Sequence, residues 1–347
     1  MAEPSPTAPQ SYLQLVEACD NFSPTRSAEK LVPWRLTADP SAPALGLLRP
    51  SIVAQLRAEN ARAAPGEEPF AFALDGPAPC VGFASWADTP AKRSGALAAL
   101  LARWRDEGLH AGVIGPRKWR GELYPVFRRP FGVHDAPRDD SAAGDGGNYA
   151  FCMERAACAL FGVVTYGVHM NVFVKDGAGP AGCRVWVPKR AKTKQTWPGY
   201  FDNSVAGGIP AGYSPFESLV KESMEEASLA EDIVRKHAKS VGSISYFFST
   251  SEGWLQPEVE YLYDLEVPAD ADPAAFQPKP LDGEVESFEL LSLEEIIPKM
   301  RAGLFKTNCA TALIDFMVRH GYITPDNEPD FQEIITRLHG RFEYDRW

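Results

Sequence analysis

Three carboxylates at one spacing dominate the chemistry open to this sequence. Glu222, Glu225 and Glu226 stand at i, i+3 and i+4. On a helix that spacing gathers them on one face, where like charges repel unless a cation sits among them. A hard cation such as Mg²⁺ takes carboxylate oxygens, keeps waters and bridges to phosphates. A solvated acidic face is the plain alternative. Against it stands the preceding stretch, Gly207-Gly208-Ile209-Pro210-Ala211-Gly212, whose backbone can approach a metal or its ligand closely. Ser214 then reads as an N-cap, Pro215 as the first helical residue and Glu217 as the partner of a capping box. The signals predict a helix over 215–227.

Other residues could join such a site. Lys189, Arg190, Lys192 and Lys194 open a basic loop, KRAKTKQTWPGY, and Arg190 and Lys194 are the favoured phosphate contacts. Trp197 and Tyr200 in the same loop could stack on a heteroaromatic ring or pack in the core. His169, in YGVHMN, is either a substrate contact or a satisfied strand histidine. Trp119, Arg120, Glu122 and Tyr124 could reach the site from the first half of the chain, although packing between domains explains them more simply. The six cysteines show no C-x-x-C spacing. They read as buried reduced thiols, and Cys309, beside Asn308, as a core residue without a base partner.

The glycine loop and its helix resemble the Nudix box, G-x5-E-x7-R-E-U-x-E-E-x-G-U with U aliphatic. Gly207 matches the first glycine, Lys221 stands for the arginine, Glu222, Glu225 and Glu226 match the metal-binding glutamates, and Leu229 the last aliphatic position. Tyr213, Ser223 and Ser228 depart from it. The resemblance implies that the three glutamates, with a backbone carbonyl at Ala206 or Gly207, hold Mg²⁺, with Mn²⁺ as the alternative. It also implies an additional glutamate in a late loop as metal ligand or general base. Glu284 and Glu286, in DGEVESF, occupy that place.

Beyond the box, KWRGELYPV, FGVVTYGVHMN, WVPKRAKTKQTWPGYFDNSVAGG and FKTNCATALIDFMVRHGYI resemble the thiamine-pyrophosphokinase-related Nudix subfamily, which has an uncharacterised N-terminal domain. That likeness implies hydrolysis of thiamine diphosphate, or of oxidised or damaged analogues, to the monophosphate. No P-loop is present to support kinase chemistry. Two alternatives remain open. An isopentenyl-diphosphate-isomerase-like enzyme would need a Cys and a Glu facing each other across the pocket, and no such pair is evident. A catalytically silent binding module would explain Tyr213 and Ser228.

The elements that must position these residues follow from periodicity. Helices are expected at 11–22, at 52–63 behind a Ser51 cap, at 91–107, 230–239, 293–301, 308–320 and 328–340. Strands are expected at 69–86 (two), 162–176, 183–188, 242–250 and 259–267, the last with Val259, Tyr261, Tyr263, Leu265 and Val267 on one face. Strands interleaved with helices give an α/β class. The organisation expected is a disordered tail at 1–10, an α/β N-terminal domain at 11–140, a Gly/Asp-rich linker at 135–148 and a Nudix α/β/α sandwich with a mixed sheet at 150–347. The 347 residues carry 46 Asp+Glu against 35 Lys+Arg, a net charge of −11. That field repels nucleic acid. A metal and local cations still permit a small-molecule diphosphate as partner. With neither a membrane span nor a signal peptide in view, the expected location is the cytoplasm; the sequence leaves oligomeric state open.

Overall fold

A computed structural model of the chain describes residues 8–135, 147–340 and 342. Most of the expected tail and of the Gly/Asp-rich linker lies outside the described residues. Helix α1 (Tyr12–Cys19) is capped reciprocally by Ser11 and Gln14. Its apolar side, Leu15, Val16 and Cys19, packs among helices from the far end of the chain, not on the N-terminal sheet.

That first sheet holds β1 (Val32–Thr37), β2 (Ala44–Leu48), β3 (Phe70–Ala73) and β4 (Cys80–Phe83) in the order β2-β1-β4-β3. Helices α2 (Pro50–Asn60), α3 (Pro90–Asp106) and the single turn α4 (Ala111–Ile114) accompany it. The Ser51 cap is corrected: Arg49 is the N-cap and makes no capping bond, because a guanidinium has no acceptor to offer the first helical N–H groups, while Pro50 at the first helical position sets φ. Trp34 centres this core, 5.4 Å from Phe151 and 4.9 Å from Phe161 by ring centroids. Those two rings come from β6 (Tyr149–Glu154), which pairs with β5 (Leu123–Phe127) as a ribbon, and from the short helix α5 (Cys158–Phe161). Buried Arg93 of α3 donates to the Ala150 carbonyl at 3.0 Å and ties the ribbon down.

The second sheet is mixed. It comprises β7 (Thr165–Lys175), β8 (Cys183–Arg190), β9 (Val205–Gly208), β10 (Lys239–Ser249), β11 (Leu255–Glu266) and β12 (Val285–Ser292). The order is β10-β11-β7-β8-β12, with β9 also on β7 and only β11–β7 parallel. Helices α6 (Pro215–Ala227) and α7 (Glu231–His237) bury Leu219, Val220 and Val234 against Val168 and Met170. On the other face α8 (Leu293–Arg301), α9 (Thr307–Arg319), α10 (Phe331–Leu338) and α1 close over Phe173, Val185 and Leu262. This is the expected α/β/α sandwich, behind an α/β N-terminal region.

Helix α6 begins as predicted, with Ser214 Oγ accepting from Glu217 N at 3.2 Å. The capping box is one-sided, however, because the Glu217 carboxylate is taken by Arg235 at 2.8 and 2.7 Å. Ser228 ends the helix at φ 54°, a left-handed conformation that glycine adopts more cheaply. Its hydroxyl donates to the Lys279 carbonyl at 3.0 Å and holds that turn. Among the described residues no helix is long and apolar enough to cross a membrane.

Candidate active site

Strands β7, β9 and β11, helix α6 and the β5–β6 ribbon enclose a cavity of about 770 Å³. Two of its glycines lie where a side chain would crowd the site. A Cβ on Gly207 would overlap the Glu222 side chain, and one on Gly208 would overlap the Tyr124 hydroxyl. The loop after β9 is tied to the ribbon where Ala211 N donates to Leu123 O at 2.8 Å.

Of the three helix carboxylates, Glu222 and Glu226 line the cavity. Glu225 does not: its side chain is 52% exposed and pairs with Lys221 at 2.6 Å. Burial raises the Glu222 carboxyl above its ordinary range, against the pull of Lys221. Burial, then Glu222 and Asp202, drives Glu226 well above it. Carboxylates that oppose one another in this way, beside the backbone of Ala206 and Gly207, form a hard-oxygen donor set that fits Mg²⁺. Glu284 also lines the cavity and is paired with Lys194, which holds its carboxyl low despite burial. Glu286 is exposed on β12, outside the cavity lining.

The basic loop divides. Both Lys194 and Arg190 line the cavity, but the Arg190 guanidinium is also committed to partners within the protein. It donates to Asp202 at 2.6 Å, to the Trp197 carbonyl at 3.2 Å and to the Thr196 carbonyl at 3.1 Å. Trp197 lines the wall, and Tyr200 supports it edge-on at 5.0 Å without lining it.

His169 lies in the floor, and its partners are internal. Nδ1 is 2.7 Å from Asn203 Oδ1, and Nε2 is 3.6 Å from Glu260. Burial lowers its proton affinity, but Glu260 outweighs that and holds it well above the usual value. His169, Asp202 and Cys309 bring their ligand-type atoms within 4.8 Å of one another. Cys309 Sγ donates to Asp202 Oδ1 at 2.6 Å, and Arg190 takes the other Asp202 oxygen. Against burial, Lys306 and Arg190 keep Asp202 at about 2. The cluster is therefore an internally compensated ion network, and Cys309 has acid and imidazole neighbours that the sequence did not reveal.

Several cavity residues were missed or discounted. Lys306, just before α9, lines the floor, and Asp202 and Cys309 favour its charged form against burial. Its only local signal was a lysine in FKTN. Arg120, Glu122 and Tyr124 do reach the cavity, joined by Arg155, while Trp119 packs under Arg105 at 4.5 Å. Glu154 accepts from Arg120 N at 2.9 Å and Gly121 N at 3.1 Å, fixing the loop that presents them. Arg155 bonds Glu122 at 2.9 Å and lies 4.8 Å over the Tyr124 ring. Cys19 and Cys158 also line the wall, with Glu258 among the charges acting on both thiols, so a Cys–Glu neighbourhood exists where the sequence showed none.

Residues 165–309 match the NUDIX domain family. Over 250 residues the chain is 39% identical to the uncharacterized protein YJR142W of Saccharomyces cerevisiae, covering 68% of this chain and 65% of that protein. It is 37% identical over 254 residues to Nudix hydrolase 20, chloroplastic, of Arabidopsis thaliana, covering 73% of this chain and 59% of that one. The chain thus spans about three fifths of the length of these relatives. The crystal structure of DR0079 from Deinococcus radiodurans overlays 46% of this chain and 83% of its own at 21% identity and a TM-score of 0.32.

Proposed function

We propose, from the premise that residues 165–309 form a Nudix domain, that this protein hydrolyses the phosphoanhydride bond of a small organic diphosphate with Mg²⁺. The observation that carries the reading is one cavity in which Glu222 and Glu226 face Lys194, Arg120, Arg155 and Lys306. An acidic chain has gathered cations where a diphosphate would lie. Bound Mg²⁺ would supply charge neutralisation and a more acidic water. The protein's own part is to hold phosphate oxygens with these cations, to keep the helix carboxylates converged through the side-chain-free Gly207, and to take the water's proton. We assign that last role to Glu226 or Glu284, the latter paired with Lys194.

The finer substrate we propose is thiamine diphosphate or an oxidised analogue, converted to the monophosphate and phosphate. Whole-chain resemblance supports it, as does a cavity large enough for a ring plus diphosphate. The test is purified protein with Mg²⁺ against thiamine diphosphate, its oxidised analogues, nucleoside di- and triphosphates, ADP-ribose and isopentenyl diphosphate, reading phosphate and monophosphate release. Faster turnover of the thiamine compounds is expected; a nucleotide ahead by tenfold overturns the finer assignment only. Cys19 and Cys158 beside Glu258 favour one second reading, an isomerase acting on isopentenyl diphosphate. Allylic product without phosphate release in the same panel would establish it.

A further inference from the structure

Helix α6 brings Glu222 and Glu226 to the cavity, while its Glu225 turns out to Lys221. Two carboxylates and a backbone carbonyl fill about half of the octahedral shell that Mg²⁺ demands. A further carboxylate lines the same cavity, and it comes from the N-terminal region. Glu122 stands immediately before β5, far from the glycine loop and helix in sequence.

Hydrogen bonds fix the backbone of Glu122 on both sides. Glu154 accepts from Arg120 N and Gly121 N, and the Glu122 carbonyl accepts from Arg155 N at 2.8 Å. Leu123 O accepts from Ala211 N, so the next residue is bonded to the glycine loop itself. The side chain is aimed as firmly. The Arg155 guanidinium bonds Glu122 Oε2 at 2.9 Å and lies over the Tyr124 ring. Glu122 and Tyr124 therefore point to one side, with Leu123 exposed on the other. Tyr124 carries that side onto Gly208, and Glu222 meets the adjoining Gly207. Successive strand residues face opposite ways. Within the sheet, however, β9 pairs with β7 alone, and Ala206, Gly207 and Gly208 all line the cavity. Side chains from both faces of β9 meet around that free edge.

The Glu122 carboxylate is only half used. Arg155 holds Oε2, whereas Oε1 has no partner among the described residues. The side chain is 33% exposed, and Oε1 is not among the buried unpartnered atoms, so it can be reached from the cavity. Burial chiefly raises the Glu222 carboxyl, and Glu122 is among the charges that add to this. We infer that Glu122 is a ligand of the Mg²⁺ site through Oε1, so that the N-terminal region supplies part of the metal centre. The inference rests on the diphosphatase reading and gives the first half of the chain a part in it. Arg155 offsets the charge of this third acid and orients it with one N–H, keeping other donors for phosphate.

The test titrates Mn²⁺, as a stand-in for Mg²⁺, onto the full chain without substrate, the free ion being counted by electron paramagnetic resonance. Glu222→Gln sets the scale of a lost ligand. Glu122→Gln keeps an acceptor for Arg155 and is expected to weaken Mn²⁺ binding by about tenfold or more, since even residues that only orient a ligand commonly cost that much. Glu122→Asp keeps the charge but draws the oxygen back by one methylene, and a similar loss is expected; should the Gln variant not fold, this one carries the test. Glu289→Gln removes an equal charge from the exposed side of β12 and should leave the affinity unchanged. Affinity that falls in Glu122→Gln and survives in Glu122→Asp would mean that Glu122 acts only through its charge, and would overturn the inference. Affinity indifferent to both variants would overturn it too. Either result leaves the hydrolase reading standing if Glu222→Gln still weakens Mn²⁺ binding. A wild-type chain that takes up no Mn²⁺ at millimolar concentration would sink that reading, and this inference with it.

Discussion

Two sets of carboxylates face the same cavity from different kinds of structure. Glu222 and Glu226 sit on helix α6, and Glu258 and Glu260 on strand β11. On the helix, the backbone period alone decides which side chains share a face. On the strand, an i, i+2 pair shares a face by equally simple geometry, but what that face meets depends on partners about ninety residues away, Thr165 and Gly167. The apolar alternation Val259, Tyr261, Tyr263, Leu265 puts the intervening residues on the opposite face without saying what that face meets. In the fold β11 lies between β10 and β7 and is covered on both sides, so its polar face is the floor of a cavity. Alternation identifies the strand and leaves open whether its polar face is wet.

The largest expected effect sharpens the helix half of this comparison. Glu226→Gln and Glu222→Gln should each lower kcat by orders of magnitude, since charge stabilisation at a metal site contributes several kcal/mol to the transition state. In the metal-free protein the same changes should leave the melting temperature unchanged or raised, because each removes a partly buried charge that its neighbours oppose. Glu225→Gln should cost far less activity, given its outward pairing with Lys221. Equal losses at all three positions would mean that Glu225 turns inward when metal binds.

The next effect is on stability and divides the basic loop. Arg190→Ala should destabilise by about 3–5 kcal/mol, as for one partner removed from a buried pair, because Asp202 would lose its ion partner and two loop carbonyls their donor. Lys194→Ala should change the unfolding midpoint little and raise KM. A stable Arg190→Ala protein with raised KM would return Arg190 to the role of phosphate ligand that the sequence suggested.

What was legible divides along the same line. The limits of α6, its Ser214 cap and the convergence of Glu222 with Glu226 follow from local rules, and the mixed sandwich from the alternation of elements. The outward turn of Glu225 was not legible, because i, i+3 and i+4 side chains fan over a face and only the packing of α6 decides which are inside. The use of Arg190 within the protein depends on Asp202, twelve residues on and across a turn. Lys306 and Arg155 come from segments whose place at the cavity exists only once the two sheets meet.

The smallest effect probes the strand half through pH. His169 stands between Asn203 and Glu260 and is held charged chiefly by Glu260 against burial. In the unfolded chain its pKa is near 6.5; in the folded protein it is well above that. Between those values the folded state binds a proton that the unfolded state lacks, so stability falls as pH rises through the window. The contribution is complete below pH 6.5 and disappears as pH passes the folded value. His169→Gln removes the titration. The stability lost in this variant should therefore be greater at pH 6 than at pH 9, with a slope of at most about 1.4 kcal/mol per pH unit inside the window. Chemical denaturation of both proteins at the two values measures it, and groups common to both cancel in the difference. A pH-independent difference would mean that His169 is neutral when folded.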